Sequence, residues 1–388
     1  MFSSRLPANL SRNRLAAAVE DARADGAPLL DLTESNPTRA GFRYPEDLLA
    51  PLSDSAGLRY APDARGLRAA REAVASEYER QGVTLSADRI VLTASTSEAY
   101  GFLFKLLADA GDEVLVPRPS YPLFEHLSAF DLLRARPYDL DVDGAWAIDF
   151  TSVERALSPR TRAVLVVSPN NPTGSFLGAR ECERLAALCA PRGIAIIADE
   201  VFQDYELTPG ARAAAARPLS QADALVFSLG GLSKSAGLPQ VKLGWIGVGG
   251  PERLVASALE RLDLIADTYL SVSTPAQLGA PALIERGAAV RRQIIDRVRR
   301  NHAAAAARLD RAPACRLLPS GGGWSAVIQV PAVRSEEDMV LEHLAQDRVL
   351  AHPGYFFDFP REAFLVVSLL PPPDVFDEGL DRLVKRHG

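Results

Sequence analysis

Two residues in this chain have types and settings suited to covalent chemistry: Lys234, in the stretch SLGGLSKSAGLPQVKLGW from Ser228 to Trp245, and Asp199, which follows the apolar run Ile194–Ala198. Lysines mostly occupy solvated helix faces. Lys234 instead follows the buried-looking run Ala224–Ser228 and the pair Gly230-Gly231, in a small-residue loop where open α/β sheets bind ligands. Desolvation there pushes an amine toward the neutral, nucleophilic form that attack on a carbonyl requires. Asp199 poses the complementary problem, because an acid ending a buried strand is costly unless something pairs with it. A cationic ring nitrogen would be such a partner, and an aspartate set against a pyridinium lets pyridoxal phosphate act as an electron sink.

Three further loops could complete such a site. Thr93–Glu98 (TASTSE) follows one apolar run and opens a helix; Ser95 with Glu98 reads as a capping box, and hydroxyls at a helix N-terminus also suit a phosphate, with Ser95, Thr96 and Ser97 as its ligands. Pro119-Ser120-Tyr121-Pro122 offers the flat ring of Tyr121 at the same edge, where it can pack or stack on a flat cofactor. Ser168–Gly174 (SPNNPTG) ends another run and brings Asn171.

The elements that must position these residues follow from periodicity. Short apolar runs at Ile90–Thr93, Glu113–Val116, Ala163–Val167, Ala195–Ala198, Leu225–Ser228 and Leu243–Val248 alternate with helical segments such as Glu98–Ala108, Tyr121–Phe130 and Arg180–Ala190. Runs apolar on both faces are strands covered on both sides, which gives a doubly wound α/β domain with a mostly parallel sheet over residues 44–284. An amphipathic helix at Leu15–Asp25 and the mixed strands and helices after Thr274 predict a smaller α+β domain from residues 1–43 and 285–388. The first strand leads into Ala-Ser-Thr-Ser and not GxGxxG, which argues against a nicotinamide dehydrogenase.

Taken in order, Ser35-Asn36-Pro37, Tyr60 with Gly66, Ser95–Ser97, Tyr121, Asn-Asn-Pro-Thr-Gly at 170–174, Asp199-Glu200, Ser233-Lys234 and Gly244-Trp245 resemble the fold-type I, aspartate-aminotransferase-like family of pyridoxal phosphate enzymes over nearly the whole chain. The resemblance implies a seven-stranded large-domain sheet and an aminotransferase moving an amino group between an amino acid and a 2-oxo acid. By it Lys234 holds the cofactor aldehyde and shuttles a proton, Asp199 pairs with the ring nitrogen, Asn171 bonds the ring hydroxyl and Tyr121 stacks on the ring. Ser95, Thr96, Ser97 and Lys242 hold the phosphate, and Ser35, Asn36, Arg39 and Trp324 contact substrate. The same resemblance implies a homodimer with shared sites, in which Tyr60 reaches the neighbouring subunit's phosphate, and pockets lined by Gly321–Trp324 and His352–Phe357.

This sequence departs from the family at four places. Phe202 stands where a tyrosine is usual, Lys242 where an arginine clamps the phosphate, and Gly231 where a serine is usual. Lysine keeps the charge but loses the bidentate fork. Val366 takes the place of the arginine that grips the substrate carboxylate, so either another cation serves, with Arg361 and Arg39 as candidates, or the substrate lacks that group. The loss keeps open a lyase, racemase or decarboxylase reading with the same cofactor.

Composition removes other classes. A net charge of -6 leaves no basic surplus for a nucleic-acid binder working by phosphate neutralisation, and the arginines of Val290–Arg300 read as a solvated helix face. Cys182, Cys189 and Cys315 show no metal-ligand spacing and no disulfide framework, Cys182 and Cys189 lie two turns apart on one predicted helix and cannot bridge, and three free thiols in a reducing cytoplasm are expected. No metal is expected. Neither a signal-peptide h-region nor a membrane-spanning run is visible.

Overall fold

The computed structural model describes residues 2–7 and 9–387. Its centre is an eight-stranded sheet in the order β2-β9-β8-β7-β6-β3-β4-β5. The strands are β2 (Ile90–Thr93), β3 (Glu113–Arg118), β4 (Arg134–Asp143), β5 (Ala145–Ile148), β6 (Thr161–Val167), β7 (Ala195–Asp199), β8 (Val226–Gly231) and β9 (Gly244–Gly249). From β8 through β7, β6 and β3 to β4 every pairing is parallel, while β9 runs antiparallel to both β8 and β2. Seven of these are the expected sheet. The eighth, β5, forms an edge hairpin with β4, pairing Leu140 with Ile148 and Val142 with Trp146.

The burial pattern explains why this sheet is doubly wound. Along β6 and β7, Ala163, Leu165, Ala195 and Ile197 face one apolar core with Leu103, Phe227 and Leu262. The alternate residues Val164, Val166, Ile196 and Ala198 face another core with Leu185 and Phe150. Period-two alternation thus buries both faces of each strand. Helices Thr96–Leu107 and Glu252–Tyr269 cover the first face, and Phe150–Ala156 and Ala179–Cys189 the second.

The chain ends build smaller sheets. Strand β1 (Leu30–Asp31) pairs in parallel with β12 (Val349–Leu350). A four-stranded antiparallel sheet is formed by β10 (Arg316–Leu317), β11 (Ser325–Gln329), β14 (Phe364–Ser368) and β13 (His352–Pro353). Between the large sheet and these strands runs one continuous 36-residue helix, Thr274–Leu309, so residues 284 and 285 lie within a single rod.

That helix changes the reading of its arginines. Arg291 is buried and pairs with Glu77 at 3.1 Å; Arg297 donates to the Leu370 carbonyl at 3.0 Å; Arg299 reaches Glu206 and Arg300 reaches Asp377. They are cross-ties to other elements and not merely a solvated face. The three cysteines are free and buried. Among the described residues no helix is long and apolar enough to cross a membrane.

Candidate active site

Strands β7 and β8 are parallel neighbours, with Asp199 opposite Leu229. Their C-terminal ends therefore deliver Asp199 and, one short turn later, Lys234 to the same edge of the sheet. Asp199 is nearly buried. Burial raises its carboxyl to about 6, against the opposing pull of the Val201 N–H at 3.1 Å, the Tyr100 hydroxyl at 3.0 Å and the charge of Lys234. The Lys234 amine is lowered by burial to about 8, and the charge of Asp199 resists that shift. Two opposite charges thus act on one another, each displaced toward neutrality.

Aromatic rings enclose the amine. Lys234 Nζ lies 4.7 Å from the centroid of Trp324 and 5.5 Å from that of Phe202. The two rings meet edge to face at 5.3 Å. Among the described residues Nζ makes no hydrogen bond or ion pair, so the rings hold it without consuming its lone pair. Tyr121 is half-exposed, packs edge-on to Phe124 at 6.3 Å, and its hydroxyl is raised by burial and by the charge of Asp199.

The Thr93–Glu98 loop opens a helix capped by Ser95, as the sequence predicts, with one correction. Ser95 caps helix Thr96–Leu107 by accepting from the Glu98 N–H at 3.2 Å. The Glu98 carboxylate, however, accepts from Ala94 N at 2.7 Å and from Ser271 Oγ at 2.6 Å, so the capping box is not reciprocal. The N–H groups of Thr96 and Ser97 have no described acceptor, as the first turn of a helix requires. Gly244 lets the strand approach this turn: a Cβ there would lie 3.0 Å from the Ser95 carbonyl carbon and 3.2 Å from Thr96 N.

Asn171 joins this site to the smaller sheet by accepting from Ser325 Oγ at 3.2 Å, and its Nδ2 has no described partner. Ser325 pairs with Ser368 across β11 and β14, and Ser368 Oγ donates to the Glu34 carbonyl at 2.6 Å. This chain of contacts ties Glu34, at the start of the Ser35–Arg39 loop, to the strands that carry Ser325 and Ser368. Within the loop Asn36 Oδ1 accepts from Thr38 N at 3.0 Å, and Arg39 lies 3.6 Å from the Glu34 carboxylate. The Phe357 carbonyl accepts from Ser120 N at 2.9 Å, so the His352–Phe357 segment touches the loop that presents Tyr121.

Of the other expected residues, Tyr60 and Lys242 lie at the surface. Tyr60 is 76% exposed and lines a pocket with Phe102, Leu270 and Ser271. Lys242 is exposed, in a left-handed conformation (φ 58°), with no described bond. Val366 is 1% exposed, packed in the core that holds Val327, Phe357 and Phe364, and its neighbours Leu365 and Val367 are buried and uncharged. Strand β14 thus offers no cation. Arg361 is exposed, with its guanidinium 5.6 Å from the Phe364 ring centroid.

Sequence reasoning missed three contributors. Tyr100 holds Asp199; Tyr205 donates to the Lys234 carbonyl; Arg291 donates to the Ser235 carbonyl at 3.1 Å. Spacing along the chain marks each only as a buried helix or loop position.

The donor set fits pyridoxal phosphate. Asp199 offers a buried carboxylate in need of a cation, Lys234 an amine already lowered toward neutrality, and Thr96 and Ser97 two unpaired N–H groups for an anion.

The chain matches the family described as Aminotransferase class I and II over residues 27–383. It is 25% identical over 374 residues to the glutamate-pyruvate aminotransferase AlaA of Escherichia coli K12, covering 93% of this chain and 91% of that protein. A 34% identity over 271 residues to the nicotianamine aminotransferase A of Hordeum vulgare covers 68% of this chain and 57% of that protein. Among solved structures, an alanine aminotransferase from Pyrococcus furiosus superposes with a TM-score of 0.88 at 24% identity, covering 100% of this chain and 99% of that one.

Proposed function

Because the chain belongs to the class I and II aminotransferase family and is a pyridoxal phosphate-dependent aminotransferase, we propose that Lys234 and Asp199 are its catalytic pair and that it acts on amino acids with apolar side chains and on 2-oxo acids. The observation that carries this reading is the mutual charge interaction of Lys234 and Asp199 at the ends of adjacent parallel strands.

The bound cofactor supplies an electron-accepting ring conjugated to the reacting carbon. Asp199, ionised at neutral pH, would hold the cofactor's ring nitrogen in its cationic form. Lys234 Nζ would hold the cofactor aldehyde at rest and, when free, would carry a proton from the substrate α-carbon to the cofactor carbon. An amine whose pKa is about 8 is a competent base and acid near neutral pH. Asn171 Nδ2 would donate to the ring hydroxyl; Phe202 cannot assist, since it has no hydroxyl. Tyr121 would pack on the ring, and the first-turn N–H groups with Ser95, Thr96 and Ser97 would hold the phosphate, with Lys242 adding charge.

With no cation on β14, Arg39 is our candidate for the substrate carboxylate, assisted by Ser35 and Asn36, because the Glu34–Ser368 contact ties its loop to the site. Trp324 and Phe202 set an apolar wall for the substrate side chain. We further propose a homodimer in which Tyr60 completes the neighbouring site, a division into residues 44–284 and the two chain ends 1–43 and 285–388, and a cytoplasmic location consistent with three free thiols.

Borohydride reduction of the holoprotein should attach the cofactor to the peptide containing Lys234, and Lys234→Ala should lose both label and at least about 100-fold in turnover. A panel of amino donors, scored by single-turnover absorbance, should favour apolar ones. Labelling at another lysine, or elimination products without amino transfer, would refute the assignment.

A further inference from the structure

Lys234 reaches the site from a turn, Leu232–Gly237, whose backbone is held from behind by residues remote in sequence. Tyr205 donates its hydroxyl proton to the Lys234 carbonyl, Arg291 Nη1 donates to the Ser235 carbonyl at 3.1 Å, and Tyr44 donates to the Gly237 carbonyl at 2.7 Å. The long helix presses on the same turn: a Cβ at Gly287 would lie 2.5 Å from Ala236 Cβ, and one at Gly237 would lie 3.0 Å from Val290.

Tyr205 is fully buried, so its hydroxyl is costly unless bonded. A phenyl ring would fill the same space without that cost. Arg291 is also buried, 3.1 Å from Glu77 and 3.6 Å from Asp204. Asp204 binds Arg80 at 2.8 Å and directly precedes Tyr205, so the two donors belong to one network. The same segment starts at Asp199: the chain leaves β7, turns through Glu200–Asp204, and ends with the Tyr205 hydroxyl on the residue that bears the amine. The carbonyls of two successive peptide units are therefore gripped, one from the segment that carries the carboxylate and one from the long helix.

We propose that Tyr205 and Arg291 are positioning residues that, by gripping the carbonyls of Lys234 and Ser235, fix the Lys234 amine relative to the Asp199 carboxylate. This rests on the reading of Lys234 as the cofactor-bearing amine. Releasing the grip lets the turn relax and admits water around Nζ, and an amine so rehydrated regains basicity. The charged group acting on Nζ is Asp199, which neither substitution touches.

The test measures Lys234 in the cofactor-free protein, by the pH dependence of its modification with a small amine-reactive reagent read at the Lys234 peptide. Wild-type protein should show a midpoint near 8. Tyr205→Phe and Arg291→Met should raise it by about half a pH unit or more, with Arg291→Lys recovering part of the shift. In the holoprotein kcat should fall about 10–100-fold in Tyr205→Phe, with KM little changed. Arg291→Met leaves Glu77 and Asp204 uncompensated and can unfold; Tyr205→Phe keeps the ring and decides by itself. A wild-type midpoint and kcat in Tyr205→Phe, with only the melting temperature lowered, would overturn the proposal. Failure of wild-type Lys234 to bind cofactor would instead overturn the catalytic assignment, while the labelling midpoints would still decide the grip.

Discussion

Asp199 and Lys234 place opposite pH demands on the fold. The carboxyl of Asp199 is raised from its ordinary range to about 6, so its contribution to stability is complete below the unfolded value near 3.8 and is lost as pH rises through 6. The amine of Lys234 is lowered to about 8, so its contribution is present above the unfolded value near 10.5 and is lost as pH falls through 8. Between 6 and 8 both groups are ionised and both burden the fold. Asp199→Asn in the cofactor-free protein should therefore raise the melting temperature by a few degrees at pH 7.5 and by nothing at pH 3.5, while abolishing amino transfer; thermal scans at the two pH values check the sign. The placement of these two residues beyond adjacent strand ends was legible in the sequence, because Asp199 ends one apolar run and Lys234 follows another by a short glycine-rich turn. Tyr100, Tyr205 and Arg291 were not, since their partners lie 99, 29 and 56 positions away and nothing local distinguishes a bonded buried tyrosine from a packed one.

Strand β14 shows how an element limits what a single residue can do. Its register sets Val366 opposite Val327 and His352, inside a core with Phe357 and Phe364. Val366→Arg should consequently not restore a carboxylate grip; it should destabilise the protein by about 3–5 kcal/mol through an unpaired buried charge, measurable by denaturant unfolding. Arg39→Gln should raise KM for amino donors and leave stability unchanged. The edge hairpin was illegible for a related reason. Arg134–Asp143 (RARPYDLDVD) alternates charged with apolar residues, as an edge strand can, and only its alternate residues Tyr138, Leu140 and Val142 pack on that core, so no apolar run announces it. The arginines of the long helix misled in the opposite way: their spacing suits a solvated face, and only the tertiary positions of Glu77, Asp204 and Asp377 turn them into ties.

Across the whole molecule, exposed apolar side chains include Leu58, Tyr60, Tyr269 and Leu270, and Tyr60 and Leu270 line one pocket. Covering such side chains with a second copy is favourable. Sedimentation should give twice 41.7 kDa, and Leu58→Glu should yield monomers with weakened cofactor binding.

The helix Thr274–Leu309 has a consequence for biosynthesis. A ribosome releases the Leu232–Gly237 turn well before it has made Gly287, Val290 and Arg291, the residues that later brace it. Until then the nascent turn has only Tyr44 and Tyr205 to bond it. On the proposed reading of Lys234, competence to hold the cofactor should arrive once the rod has emerged and docked.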